Sequence, residues 1–522
     1  QRAYELFREM TEAGAAAGAD LIVIETITDL YEAKAALLAA RESTALPVFV
    51  TMSFEESGRT FTGCTAASMA RTLEGLGADA IGLNCSLGPD KLAPLIREIS
   101  ENTTLPVIAK PNAGLPDPLS GRYDVGPAEF AAAMLACLDA GASIIGGCCG
   151  TSPEYIRELA AAAEGRRPSP RHYRGGAFVC TPSVPLPLDG VRVIGERINP
   201  TGKKRFQQAL LEDDLDYILD VAIQQEDAGA DILDVNVGYP GVDEAAMLPR
   251  VVKKLQSAVT LPLQLDSSNP AALEAGLRVY NGKAAVNSVN GEPEVLGRIL
   301  PIVKKYGASV VGLTLDKKGI PQTAEGRINI AGRILDAVLE QGIPKDDLWI
   351  DCLTLTVSAQ QEQAAETLKA VSYVRHSMGL QTVLGVSNIS FGLPNRALVT
   401  QNFLVQALQA GLTLPIVNPN QREMMDAVAA YRVLSGEDEA CRAYVERFAG
   451  GAQKTAPAAQ TEYTLEDAVI RGLRVEAGKL ARTALETEDE LTLVEKRLIP
   501  ALDTVGEAYE RGEAFLPQLL SA

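Results

Sequence analysis

Short apolar runs alternate with helical segments along two stretches of the chain, which predicts parallel strands joined by crossover helices. In the first stretch, residues 1 to about 165, the runs are Leu21–Glu25, Pro47–Ser53, Ala80–Cys85, Pro106–Lys110 and Ser143–Cys148. They are almost continuously apolar, as expected of strands that are buried on both faces. We therefore predict an eight-stranded α/β barrel whose first three or so strand–helix units precede Gln1.

A second stretch, residues 190 to about 435, repeats the same pattern through a full set of eight strands. The runs are Arg192–Glu196, Asp231–Asn236, Pro262–Asp266, Ala284–Asn287, Ser309–Leu315, Leu348–Asp351, Thr382–Ser387 and Leu414–Val417. Their count and spacing predict a complete α/β barrel. Residues 166–189 are rich in Pro, Arg and Gly, which predicts a linker between the two barrels.

The last part of the chain has helical periodicity. After a predicted linker region at 436–463, Thr464 and Asp467 fit the start of a helix. Thr487 and Glu490 predict the start of a second helix, which ends before Pro500. The chain is therefore predicted to be two tandem α/β barrels, the first one incomplete, followed by a partial all-α domain at 464–522.

Composition and charge exclude several classes of function. The net charge of −19 argues against binding to nucleic acid or to an anionic membrane. No apolar stretch approaches the roughly 20 residues that a membrane helix needs. The eight cysteines do not show the closely spaced pattern of a disulfide-bonded domain, so structural disulfides are not expected. This favours free thiols in a reducing cytoplasm.

The strand ends of the first stretch carry candidate chemistry, because active sites of α/β barrels collect at the C-terminal ends of the strands. Cys85 ends one strand, and Cys148 and Cys149 end another. Three thiolates with one open position form a possible catalytic zinc site. The alternative is that Cys85 is a small buried residue and that the vicinal pair is an accident of packing.

Two motifs resemble a known family at this point. Gly82-Leu-Asn-Cys85 and Gly146-Gly-Cys-Cys-Gly-Thr-Ser-Pro153 resemble the homocysteine-binding domain of zinc-dependent homocysteine methyltransferases. The resemblance implies that the three cysteines bind zinc, and that the zinc binds the homocysteine sulfur and stabilises the nucleophilic thiolate. It also implies that Glu25 and Asn84 hold the amino-acid end of homocysteine.

Polar residues end six of the eight strands in the second stretch. They are Glu196, Asn236, Asp266, Asn287, Asp351 and Asn388. Buried carboxylates need partners, and no basic partner is evident in the sequence, so a neutral and nitrogen-rich ligand is predicted. The amino-pyrimidinone edge of a pterin has the required donors and acceptors. The alternative is that these residues are ordinary caps and turn formers.

The sequence motifs in this stretch are more specific than the pattern of polar residues at the strand ends. Val193-Ile-Gly-Glu-Arg-Ile-Asn-Pro-Thr-Gly202, Asp234-Val-Asn-Val-Gly238 and Gly385-Val-Ser-Asn-Ile-Ser-Phe-Gly-Leu-Pro-Asn-Arg396 resemble the pterin-binding domain of cobalamin-dependent methionine synthases. The resemblance implies that all six polar strand-end residues bind the pterin, with Asp266 and Asn388 also taking part in catalysis. It places Asn388 near N5, which carries the methyl group, and Arg396 near the pterin or its tail.

The C-terminal sequence completes the resemblance. Val505-Gly-Glu-Ala-Tyr-Glu-Arg-Gly-Glu-Ala-Phe-Leu-Pro-Gln518 resembles the helical cap that precedes corrinoid-binding domains, and Phe515 is implied to shield cobalamin. The implied activity is methyl transfer from 5-methyltetrahydrofolate, through cob(I)alamin and methylcobalamin, to zinc-activated homocysteine. The cobalamin would be bound mainly by a further domain. The alternatives are another corrinoid-dependent folate methyltransferase, a dihydropteroate synthase, or a non-catalytic folate-binding protein.

Overall fold

The first module is an open parallel sheet with helices between its strands. The computed structural model describes residues 1–117, 119–449, 463–511, 514 and 516–522. The strands are β1 (Ile22–Ile27), β2 (Val48–Met52), β3 (Ala80–Asn84), β4 (Val107–Lys110) and β5 (Ile144–Ile145). The helices are α1 (Arg2–Ala16), α2 (Leu30–Ser43), α3 (Ala66–Gly75), α4 (Pro89–Asn102), α5 (Pro127–Asp139) and α6 (Pro153–Ala163). Each strand pairs with the next in parallel, which is the order found in part of an α/β barrel.

The close approach of β3 and β4 depends on a glycine. A Cβ atom on Gly82 would lie 2.0 Å from the Ile108 carbonyl oxygen, so no other residue fits at this position. All five residues of β3 are buried. The strand therefore delivers Asn84 and Cys85 to the C-terminal edge of the sheet.

The second module is a closed parallel barrel, as predicted. Its strands are β8 (Ile194–Ile198), β9 (Ile232–Val235), β10 (Leu263–Asp266), β11 (Ala285–Asn290), β12 (Ser309–Leu313), β13 (Leu348–Asp351), β14 (Gln381–Gly385) and β15 (Leu414–Val417). Its helices are α7 (Lys204–Glu212), α8 (Leu215–Asp227), α9 (Glu244–Gln256), α10 (Pro270–Val279), α11 (Pro293–Tyr306), α12 (Ala324–Glu340), α13 (Gln363–His376), α14 (Arg396–Ala410), α15 (Arg422–Ser435) and α16 (Arg442–Ala449). The last of these lies within the predicted linker region 436–463, of which residues 450–462 are outside the described residues.

The prediction of a linker at 166–189 is wrong for its second half. Strands β6 (Phe178–Cys180) and β7 (Pro185–Pro187) form an antiparallel hairpin. Val179 of this hairpin is buried in one apolar cluster with Trp349 and the first residues of several barrel strands. The prolines do break regular structure, but the apolar residues between them close the N-terminal end of the barrel.

The C-terminal part is helical, as predicted. Its helices are α17 (Leu465–Ile470), α18 (Arg474–Ala484), α19 (Glu490–Leu493), α20 (Ile499–Glu510) and α21 (Leu516–Ser521). Thr464 and Asp467 form the expected capping box. No helix in the described parts of the chain has both the length and the apolarity to cross a bilayer.

The predicted bounds of the second helix of this part are wrong at both ends. Asp489 caps α19 in place of Thr487, since its side chain accepts a hydrogen bond from the backbone N–H of Thr492. The helix then runs through a π-helical turn at Val494–Leu498 into α20 instead of ending before Pro500. The wider turn gives room to a proline, which lacks an N–H group and clashes with the preceding turn of an α-helix.

A buried lysine joins the first module to the barrel. Lys34 of α2 is 2% exposed, and its Nζ donates to the carbonyl oxygens of Leu277 at 2.7 Å and Tyr280 at 2.6 Å. These carbonyls belong to the C-terminal end of α10, where helix carbonyls have no partner within the helix. Nearby, Arg278 donates to Glu42 at 2.8 Å.

We expect Lys34→Met to destabilise this junction. The substitution keeps the apolar volume but leaves the buried carbonyl of Tyr280 without a donor and that of Leu277 with only the Tyr280 N–H at 3.3 Å, at a cost of about 2 kcal/mol or more. In a module of this size the Tm should fall by about 4–8 °C, measured by thermal unfolding. Lys91→Met is the matched control, because Lys91 is half exposed and pairs only with Glu56 at the surface. An unchanged Tm in Lys34→Met would contradict the role assigned to Lys34.

Candidate functional sites

The three cysteines predicted as zinc ligands lie together at the C-terminal edge of the first sheet. The sulfur atoms of Cys85 and Cys149 are 3.8 Å apart, and all three sulfurs, including that of Cys148, lie within 4.8 Å of one another. Cys85 has a φ of 65° and Ser86 a φ of 54°, so a left-handed turn directly after β3 aims the thiol at the pair from the end of β5.

This geometry fits a zinc ion. Sulfurs bound at about 2.3 Å in a tetrahedral site are about 3.8 Å apart, which matches the separation of the Cys85 and Cys149 sulfurs. Hydrogen bonding to Cys85 and the charge of Cys148 raise the pKa of Cys149. Three thiolates repel one another at this distance, and a divalent cation offsets that repulsion.

Asn84 lies beside the cluster, and its side chain is buried and hydrogen-bonded within the sheet. It is 1% exposed and accepts hydrogen bonds from the Thr26 N–H at 2.8 Å and the Thr51 hydroxyl at 2.7 Å. Its amide nitrogen donates to Thr26 Oγ1 at 2.7 Å and to Cys148 Sγ at 3.7 Å. These contacts join β1, β2 and β3 and orient Cys148, and a direct contact of Asn84 with homocysteine stays a prediction.

Glu25 lies at the same edge and pairs with a residue that the sequence did not single out. Its carboxylate contacts the ammonium of Lys110, from the end of β4. Tyr123 was also missed. Its ring lies against Gly150, where a Cβ would come within 2.3 Å of it. Neither residue stands out in the sequence, because a lone Lys or Tyr after a strand is common.

The predicted ring of carboxylates and carboxamides is present at the C-terminal end of the barrel. Asn236 donates to Asp266 Oδ2 at 2.9 Å, and Asn287 donates to Asp234 Oδ1 at 3.4 Å. Asp234 was not predicted as a site residue, although its motif was noted. It is 4% exposed and also accepts from Gln264 at 2.6 Å. A cleft of about 560 Å³ opens beside Asn236 and Asp266.

On the other side of the ring, Glu196 contacts the segment that follows β14. The Ser387 hydroxyl is 3.3 Å from both carboxylate oxygens of Glu196. Arg396 donates to the Ser387 carbonyl at 2.8 Å and to Ser390 Oγ at 3.2 Å, so it secures this segment. Asn388 is exposed, and its side chain has no hydrogen-bond partner among the described residues. It is therefore free to bind a ligand.

A buried arginine that the sequence did not single out supports the turn directly after Asp351. The Oδ1 atom of Asp351 accepts from the Leu353 N–H at 2.7 Å. Arg327 of α12 is fully buried and donates to the carbonyls of Cys352 at 3.0 Å and Leu353 at 3.1 Å. Leu353 has a φ of 62°. Arg327 therefore fixes the strained turn that positions the Asp351 carboxylate.

Burial favours the neutral forms of the carboxyl groups in the ring. It raises the pKa of Asp351 to about 7 and that of Asp266 to about 6. Burial, together with the neighbouring Asp266, also raises the pKa of Asp234, and burial raises that of Glu196. Such carboxyls gain most from a ligand that donates hydrogen bonds to them.

The ring has basic neighbours, which corrects the expectation that it has none. Lys203 is one of them, and its Nζ donates to the carbonyl of Glu196 at 3.0 Å. Burial and the nearby Arg197 lower the pKa of Lys203 to about 8. The positive charges of Lys203, Arg197 and Arg396 in turn favour the ionised form of Glu196.

Comparison with known proteins agrees with the order of the modules. Residues 1–163 match the family "Homocysteine S-methyltransferase", residues 195–418 match "Pterin binding enzyme", and residues 462–522 match "B12 binding domain". The methionine synthases of Mycobacterium tuberculosis and Mycobacterium leprae are each 32% identical to the chain over 97% of its length. The chain spans 46% of each of these relatives.

A solved structure is similar to half of the chain. Dihydropteroate synthase from Yersinia pestis superposes on 50% of the chain, and on 100% of its own, with a TM-score of 0.39 and 18% identity. The three consecutive module matches and the two curated relatives together show that the chain carries a homocysteine methyltransferase module, a pterin-binding module and a B12-binding module, and that it is similar to methionine synthases over almost its whole length.

Proposed function

We propose that the chain supplies the two substrate sites of a cobalamin-dependent methionine synthase, which transfers a methyl group from 5-methyltetrahydrofolate to homocysteine. One observation carries the proposal: a three-thiol cluster and a ring of buried carboxyl and carboxamide groups occur on two consecutive α/β modules. A thiol acceptor matches the first site and a pterin donor matches the second. The free state of all eight cysteines supports a reducing, cytoplasmic setting.

In the first site, Cys85, Cys148 and Cys149 would hold zinc, which lowers the pKa of a bound thiol and keeps it as a nucleophilic thiolate. Asn84 keeps Cys148 in place through its hydrogen bond to the sulfur. Glu25 lies at the same edge of the sheet and binds the ammonium group of homocysteine. The substrate would thus be oriented by both of its ends.

In the second site, the ring residues would bind the pterin edge. Asp266 and Asp351 accept hydrogen bonds from the pterin N–H groups, while Asn236 and Asn287 exchange donor and acceptor bonds with the ring. Asn388 has a free carboxamide and hydrogen-bonds near N5, where a protonated nitrogen makes the methyl group easier to release. Arg396 keeps the Asn388 segment in place through its bond to Ser387.

The helical C-terminal part would contribute to cobalamin binding. Residues 462–522 match a B12 binding domain. Phe515, proposed to shield the cobalamin, lies outside the described residues. Cobalamin would supply the carrier that takes the methyl group from one barrel to the other.

Titration with 5-methyltetrahydrofolate tests this function. We expect the parent chain to bind and Asp266→Asn to bind clearly more weakly, because it loses a charged acceptor. Asn388→Ala should reduce methyl transfer to added cob(I)alamin more than it reduces folate binding. Asn402→Ala is the control, since Asn402 is exposed on α14 and bonds only to Leu398. A folded parent chain that does not bind the folate would refute the pterin assignment.

A further inference from the structure

The ion pair at the edge of the first sheet has the chemistry to recognise both charged groups of an amino acid. We propose that Lys110 binds the α-carboxylate of the thiol substrate while Glu25 binds its ammonium group. This inference rests on the proposed function of the first module and adds a specificity residue to it.

The position of the pair supports a shared site. Lys110 ends β4 and Glu25 lies in β1, and β2 and β3 separate these strands in the sheet. Their contact therefore reaches across the C-terminal face of the sheet instead of joining neighbouring strands.

Lys110 is also adjacent to the cysteine cluster through both its backbone and its side chain. The backbone carbonyl of Lys110 accepts from the Cys85 N–H at 3.0 Å. The Lys110 side chain passes Gly146, two residues before Cys148, and a Cβ there would lie 3.5 Å from its Cγ. A substrate whose sulfur reaches the cluster therefore carries its charged end towards Lys110 and Glu25.

Exposure and charge indicate that the pair serves a ligand. The Lys110 side chain is 24% exposed and that of Glu25 is 50% exposed. Exposed ion pairs contribute little to stability, so the pair is poorly explained as a structural bridge. An amino acid zwitterion can replace it with no net change of charge, its ammonium group at Glu25 and its carboxylate at Lys110.

Three thiol ligands distinguish the contact made by Lys110 from the contact made by Glu25. Homocysteine carries both charged groups, 4-mercaptobutanoate lacks the amine, and 3-mercaptopropylamine lacks the carboxylate. In calorimetric titrations of the zinc-loaded chain, Lys110→Met should weaken homocysteine and 4-mercaptobutanoate by about tenfold or more and leave 3-mercaptopropylamine unchanged. Glu25→Gln should weaken the binding of homocysteine and 3-mercaptopropylamine and leave the affinity for 4-mercaptobutanoate unchanged. Lys91→Met, which removes a surface lysine paired with Glu56, should change none of the three.

Each other outcome is decisive. Equal weakening of all three thiols by Lys110→Met would show that Lys110 only maintains the fold of the site, and would overturn the proposal while leaving the thiol-binding function intact. Equal affinity of the parent for homocysteine and 3-mercaptopropylamine would overturn it as well. A zinc-loaded parent that binds no thiol would refute the proposed function of the module, and the amino-acid site with it.

Discussion

Cys85→Ser and Cys148→Ser should each lower the zinc affinity of the chain by more than about 100-fold. Losing a residue that merely supports a ligand already costs about 10- to 100-fold in metal affinity, and these variants lose a ligand itself. The three sulfurs lie within 4.8 Å of one another, so in the proposed site each would contribute one bond to the same ion. Competition with a chromogenic chelator measures the affinity, and elemental analysis gives one zinc per parent chain.

Cys441→Ser is the control for this experiment, because Cys441 is a free thiol remote in sequence from the cluster. It should keep the full zinc content. Thermal unfolding of the metal-free proteins shows whether the variants are folded. If Cys148→Ser retained parental zinc affinity while folded, the cluster would not be the zinc site, and the thiol-activation step would lose its basis.

The affinity for 5-methyltetrahydrofolate should fall as the pH is lowered through 7. The pKa values of Asp351 and Asp266 in the free protein are raised to about 7 and about 6. Pterin N–H groups bind the ionised carboxylates, so binding lowers these pKa values and releases protons. Affinity should be constant above about pH 7, fall by up to about tenfold per pH unit below it, and fall more steeply below about pH 6.

Asp351→Asn tests whether Asp351 causes the fall in affinity near pH 7. The variant keeps an oxygen that can accept from the Leu353 N–H, so the turn held by Arg327 is preserved. It loses a charge-assisted bond to the ligand and should bind about ten- to a hundredfold more weakly at pH 8. Its affinity should no longer change near pH 7, whereas Asp336→Asn, at an exposed position on α12, should titrate like the parent. A parental affinity that is flat from pH 5.5 to 8 would exclude ionised Asp351 as a pterin ligand.

The residues at the ends of strands were predictable from the sequence. Apolar runs locate the strands, and parallel strands bring their C-terminal ends to one edge, so Cys85 and Cys148 could be placed together without knowing the fold in detail. The same reasoning placed Asp266 and Asp351 at one end of the barrel. It depends only on periodicity and chain direction, which are local properties.

Tertiary structure alone decided what each of these side chains does. The carboxamide of Asn84 accepts hydrogen bonds from Thr26 of β1 and Thr51 of β2, which the sequence does not reveal. Lys110 and Glu25 are 85 residues apart, and they come into contact only because β1 and β4 lie in one parallel sheet. The hairpin in the predicted linker is likewise stabilised by packing on the barrel. In each case the deciding interactions join residues distant in the chain, which a pattern read along the sequence does not contain.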